Sequence, residues 1–292
     1  MNGRAKEKNM AAYYDDGRGR YGTGESYDWF QKYEDGVDTY TSDDGLWTYT
    51  YIGDDIEILR YNGNDTNIVV PNMIAGKKVV SLDSTFDGFY ELESAVIPEG
   101  VTSIVGVFYG CEGLEEVTLP DSIVDMTYAF NCCYSLEDID IPSGVKNLSF
   151  AFGGTTITQI KFPDGAEDLA EAFAGSEDLE YAFIPKSVKK LTEAFSDCEA
   201  LAKVDIEVGL TSIGDYAFYN CPKLLELTIP ESVVEFGEYS VGYIELKESV
   251  VQEKIAYKMK GVQILPGFKI RGIAGSAAEK YARENGIEFV VI

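Results

Sequence analysis

Apolar positions return along this chain with a period too long for one helix or strand. Phenylalanine stands at Phe86, Phe108, Phe130, Phe152, Phe173, Phe195 and Phe218, in steps of 22, 22, 22, 21, 22 and 23 residues. A leucine follows six residues after most of them, at Leu92, Leu114, Leu136, Leu179, Leu201 and Leu224; in the repeat that is one residue short, Ile157 takes its place five residues after Phe152. From there apolar and polar positions alternate as far as a proline, as in Leu114-Glu-Glu-Val-Thr-Leu-Pro120, and period two predicts a short strand with one face inward. Proline at 98, 120, 142, 163, 185 and 230 stops each strand, because it has no N–H to give to a ladder; Glu207 is the exception. A second apolar pair, such as Val101/Ile104 or Val145/Leu148, closes the coil.

A period of 20 to 30 residues is the mark of a solenoid, in which one turn cannot bury its apolar face until the next stacks on it. The pattern therefore predicts a mainly β solenoid of short parallel strands, with the rings as an internal column. Each buried ring removes roughly 150–250 Å² from water. Three residues after each phenylalanine comes a small slot, filled by Cys111, Cys133, Thr155, Ser176, Cys198 and Cys221, with Phe89 the first and odd member. Neighbouring strands lie about 4.8 Å apart, so Cys111 with Cys133 and Cys198 with Cys221 are within disulfide distance. Their parallel side chains are badly aimed for the bond, and reduced structural thiols are expected. Cys132 falls off this ladder and is expected to be more exposed.

The unit Ile-Pro-x-Ser/Gly-Val-x-x-Ile…Ala-Phe-x-x-Cys-x-x-Leu-x-x-Val, with its fullest copy at residues 208–232, resembles the BspA-like leucine-rich repeat family. The resemblance runs over roughly residues 47–292 and includes an initial coil around Tyr61–Leu82 and an exit segment around Ile273–Ile287. It implies a right-handed leucine-rich-repeat solenoid, a module of bacterial surface or secreted proteins associated with adhesion, and it carries no catalytic residue to transfer. The first 44 residues lie outside it.

Four segments are expected: a Tyr/Asp/Gly-rich stretch 1–44, partly disordered; a cap and first coil 45–85; seven repeats over 86–241; and a C-terminal cap 242–292. Residues 27–40 are aromatic enough to dock on the first coil. Residues 47–61 read as a capping β-hairpin around a Gly53 turn. Ser276-Ala-Ala-Glu279 has capping-box spacing and Asn285-Gly286 a stop signal, so 277–285 should be helical, followed by a strand. Residues 248–260 fit either a helix or a strand pair. No apolar run in 1–44 has the length of a signal peptide or a membrane helix; either the protein stays in the cytoplasm or a leader was removed.

Composition narrows the chemistry. With 24 Lys plus Arg against 50 Asp plus Glu, the formal net charge is −26. That field repels phosphate backbones and anionic lipid, so neither nucleic acid nor membrane insertion is expected. There is no histidine. With no nucleophile elbow, phosphate loop or metal motif either, catalysis is the weakest class, and no cofactor or metal is expected.

Function must lie on outward positions. One outward column of the pre-proline strands runs Val96, Thr118, Asp140, Lys161, Phe183, Asp205, Thr228, and its neighbour Ser94, Glu116, Asp138, Gln159, Tyr181, Lys203, Glu226. Tyr181 and Phe183, flanked by Lys161 and Lys203, form a candidate ligand-binding patch for a protein or glycan; the alternatives are rings that stack along the sheet, or a shifted register. Two roles remain open: an adhesion-type binding module of a bacterial surface or secreted protein, and a structural or assembly scaffold, possibly intracellular, that self-associates through its N-terminal segment.

Overall fold

In a computed structural model of the 292-residue chain, the residues described are 37–82, 84–246 and 261–292. The expectations for most of 1–44 and for 248–260 fall outside them. One compact unit comprises Asp38–Ile244 with Val262–Ile292, and the fold is that of this unit; a second, Met1–Val37 with Glu245–Gly261, lies almost wholly beyond the described residues.

The unit is a parallel-strand solenoid with one short helix at its C-terminal end. The seven phenylalanines are buried and stacked coil on coil, with ring centroids 5.0–6.3 Å apart and planes within 25° of parallel. The column ends on Trp47 and Tyr61 of the N-terminal hairpin, which meet Phe86 at 6.3 and 6.1 Å. That hairpin pairs Trp47–Ile52 with Asp55–Tyr61 across Gly53-Asp54 and sits in a five-stranded sheet with Tyr40–Thr41, Lys77–Leu82 and Met73–Ile74. Tyr40, at the end of the stretch expected to dock, opens a strand paired with Tyr49. At the far end the helix Ala277–Asn285 forms as expected: the Ser276 hydroxyl accepts from Glu279 N, and Gly286 closes it with a φ of 70°. Its Tyr281 ring stacks on Phe236 at 4.3 Å.

The small slot is a second internal ladder. Cys111, Cys133, Cys198 and Cys221 each donate through Sγ to the carbonyl of the phenylalanine one coil back, at 3.1 Å, and Ser176 does the same through Oγ at 2.9 Å. Thr155 is the exception, since its hydroxyl bonds to Phe152 O of its own coil. All five cysteines are free thiols.

On the turn face around the rings, backbone N–H groups donate from each coil to the next. Gly106 bonds to Thr127 O, Tyr128 to Ser149 O and Phe150 to Ala170 O; Phe108 bonds to Ala129 O and Gly110 to Asn131 O in parallel rows. This route demands left-handed backbone twice per coil, once at 106, 128, 150, 171 and 193, and again at 110, 132, 154, 175 and 197. The second position is where Cys132 belongs: its φ of 63° matches the 68° of Gly110 and the 77° of Gly154. It is half-buried, where the slot cysteines are fully enclosed, and burial pushes its thiol above the usual range.

The strand face departs from the sequence pattern at one coil. Strands form at Ser94–Val96, Glu116–Thr118, Gln159–Lys161, Tyr181–Ile184, Lys203–Ile206 and Glu226–Thr228, but Asp138–Asp140 forms none. The ladder joins Glu116–Thr118 to its N-terminal neighbour and Gln159–Lys161 to its C-terminal neighbour, and stops between them; it stops again between Lys203–Ile206 and Glu226–Thr228, where both strands form. The cause of the first stop is the missing residue between Phe152 and Ile157. In the shortened turn, Thr156 sends both its N–H and its hydroxyl to Leu136 O. The Asp138 carboxylate takes the Ile139 N–H at 2.8 Å, drawing another donor away from the ladder. Deeper in, the packing is unaffected, with Leu136, Val145, Leu148 and Phe152 all fully buried, while Ile139 and Ile141 of the missing strand are half-buried.

Candidate binding surface

The four residues of the expected patch lie on the three-stranded sheet Gln159–Lys161, Tyr181–Ile184, Lys203–Ile206. Its parallel register sets Lys161, Phe183 and Asp205 in one outward column and Gln159, Tyr181 and Lys203 in the next. Period two explains the placement: Ala182 and Ile184 go into the core, so Tyr181 and Phe183 must go out. Both rings are half-buried. Lys161 Nζ lies 5.3 Å from the Phe183 centroid and Lys203 Nζ 5.2 Å from that of Tyr181, inside the range of cation–π attraction.

The four predicted residues are thus brought together, and a fifth joins them. Asp205 accepts from the Tyr181 hydroxyl at 2.9 Å and pairs with Lys203 at 2.8 Å. Lys203, and then the Tyr181 hydroxyl, hold its carboxyl below the usual range, while Lys203 is raised in turn by the same bond. Asp205 stood in the outward column that contains Phe183, and its sign set it apart from a patch sought as aromatic and basic. Among the described residues Lys161 has no carboxylate partner, which makes it an unneutralised cation on a strongly acidic protein.

Glu207, where the repeat has proline, extends this sheet. Its N–H donates to Ile184 O at 3.0 Å, a bond proline could not make, and its carboxylate accepts from Lys186 N at 2.9 Å. Among the described residues no group of three acidic or cysteine side chains is placed to hold a metal ion, and no helix is long and apolar enough to cross a membrane.

The profile of the BspA type leucine rich repeat region matches residues 82–193 and 170–260, in six copies. The chain belongs to the BspA-type leucine-rich repeat family. Among solved structures, this BspA-type chain is similar to a leucine-rich repeat protein from Bacteroides ovatus, with 23% identity and a TM-score of 0.65 over 89% of this chain and 67% of that one. It is also similar to the T. pallidum leucine-rich repeat protein, with 22% identity and a TM-score of 0.50 over 69% of this chain and 83% of that one. At these identities the likeness is one of fold. No curated protein matches significantly by sequence. Membership establishes a repeat module; what it holds has to be argued from its own surface.

Proposed function

We propose that this BspA-type solenoid is a non-catalytic, adhesion-type binding module of a bacterial surface or secreted protein, which engages a protein or glycan ligand through Tyr181, Phe183, Lys161 and Lys203. The observation that carries the reading is the pairing of two half-exposed rings with an unneutralised Lys161 on an otherwise polar sheet of an acidic protein. Rings that can be desolvated beside a cation are the usual composition of interface hot spots. Asp205 holds Tyr181 and Lys203 in place, which lowers the ordering cost on binding.

The test is a binding screen of the full chain against immobilised matrix proteins and glycans, repeated with the double variant Tyr181→Ala, Phe183→Ala. The rings lie outside the core, so the variant should fold and lose at least about tenfold in affinity. Unchanged binding by the double variant removes the patch from the site. Silence across the whole screen, together with a fall in concentration-dependent mass on deleting residues 1–44, would favour an assembly scaffold instead.

A further inference from the structure

The coil that lost its strand also carries a cleft. It measures about 440 Å³ and is lined by Glu115, Tyr134, Ser135, Glu137 and Thr156. These residues come from three successive coils, and the cleft opens where the ladder stops. In regular coils the two N–H groups entering the strand donate to the coil before: Glu115 and Glu116 to Glu93 O, and Glu180 and Tyr181 to Thr158 O. The equivalent N–H groups of Glu137 and Asp138 make no such bond among the described residues.

We propose that this cleft is a second binding site of the module, and that it takes a neutral glycan unit. Its volume falls within the roughly 300–1,000 Å³ typical of small-ligand sites, but its lining is too polar for an apolar ligand. Glu115 and Glu137 accept hydrogen bonds, and accept more strongly when ionised. The Ser135, Thr156 and Tyr134 hydroxyls can both donate and accept. Thr156 already donates to Leu136 O, so its free capacity is as an acceptor. Such a set suits a ligand dense in hydroxyl groups.

Tyr134 supplies the apolar element. It is 50% exposed, and its ring rests against the backbone of Gly154, where an added Cβ would come within 3.0 Å of Cε1. A fixed ring with an electron-rich face suits the C–H face of a pyranose. Charge disfavours the anionic sugars: no Lys or Arg lines the cleft, and Glu115 and Glu137 do. The site rests on the reading of the chain as a binding module but not on the Tyr181–Phe183 patch, which lies on different strands.

The experiment titrates the full chain with neutral trisaccharides of glucose, mannose, galactose and N-acetylglucosamine, with sialyllactose as the anionic control and oligolysine as the cationic one. Calorimetry and saturation-transfer NMR are the readouts. At least one neutral sugar should bind; Tyr134→Ala should weaken it tenfold or more, Tyr134→Phe much less, and Thr156→Val severalfold, while sialyllactose binds more weakly. The double variant Tyr181→Ala, Phe183→Ala should bind the sugar like the parent. Failure of every neutral sugar, indifference to Tyr134→Ala, or binding of oligolysine alone would each overturn the proposal. If the double variant, and not Tyr134→Ala, abolishes sugar binding, the cleft fails and the open sheet is the glycan site. Loss of matrix-protein binding in the double variant tests the module reading separately.

Discussion

Two stretches of the same sheet face, Leu136–Ile141 and Tyr181–Ile184, share the alternating pattern and have opposite outcomes. Tyr181–Ile184 is bonded on both sides and extends its neighbour's pairing to Ile206. Leu136–Ile141 has the same inward leucine and is bonded as a strand on neither side. The ring column beneath is equally closed in both, with Phe130 and Phe195 fully buried, although Ile139 and Ile141 are only half-buried where Ala182 and Ile184 are enclosed. The ring column and the outer ladder are therefore separable in this solenoid: the rings stack without a break past the coil whose strand is missing.

The largest test of that separation is truncation of the rings. Phe130→Ala beside the break and Phe195→Ala under the intact sheet should each cost about 3–5 kcal/mol, by the denaturant midpoint, because both rings are enclosed to the same degree. A much smaller loss at Phe130 would mean that the missing strand has loosened the core after all.

Next in size is restoring the turn. One serine inserted between Gly154 and Thr155 should let Thr156 release Leu136 O and the ladder close, gaining about 1 kcal/mol for each bond recovered. Amide exchange at Glu137–Asp140 is the measurement; amides that remain as fast as in the parent would show that turn length is not the cause.

A smaller effect is expected at the intact sheet, and it runs against the repeat pattern. Glu207→Pro supplies the residue the other coils have, but it removes the N–H bonded to Ile184 O and the carboxylate on Lys186 N. Thermal unfolding should show a loss of about 1–2 kcal/mol, and a gain would return Glu207 to a mere irregularity.

The smallest concerns pH. Burial, and then the charge of Glu193, push Glu171 up to about 7, from an ordinary 4.5. The folded state thus holds this proton more tightly than the unfolded chain, so Glu171 opposes folding increasingly as pH rises from about 4.5 through 7 and changes nothing further above that. Glu171→Gln should stabilise the protein more at pH 8 than at pH 5; an equal effect at both would contradict the shifted carboxyl.

Much of this could be read from the residues alone, and the parts that could not have a common cause. The ring column, the inward pairs, the hairpin cap and the terminal helix follow from spacing and from local signals such as Ser276 and Gly286. The patch was legible too, since alternation around Ala182 puts Tyr181 and Phe183 outside. The lost strand was not: Leu136-Glu-Asp-Ile-Asp-Ile141 alternates as well as any other segment, and its failure originates in a turn one coil later. The cleft shares that origin, so no residue lining it stands out by type. The role of Cys132 was hidden because it occupies a left-handed position that Gly110 and Gly154 mark openly, whereas Cys132 carries no such signal.

The rows of N–H groups on the turn face carry one more consequence. From Ser84 to Asn220 they point from each coil to the next, so their peptide dipoles add instead of cancelling. As with the terminus of an α-helix, unspent carbonyls leave a partial negative pole at the N-terminal end and unspent N–H groups a positive one at the C-terminal end. The turn face is therefore electrically directional, while the N–H groups that donate to the coil before, such as those of Glu115, Glu116 and Val124, set the opposite face of the solenoid the other way.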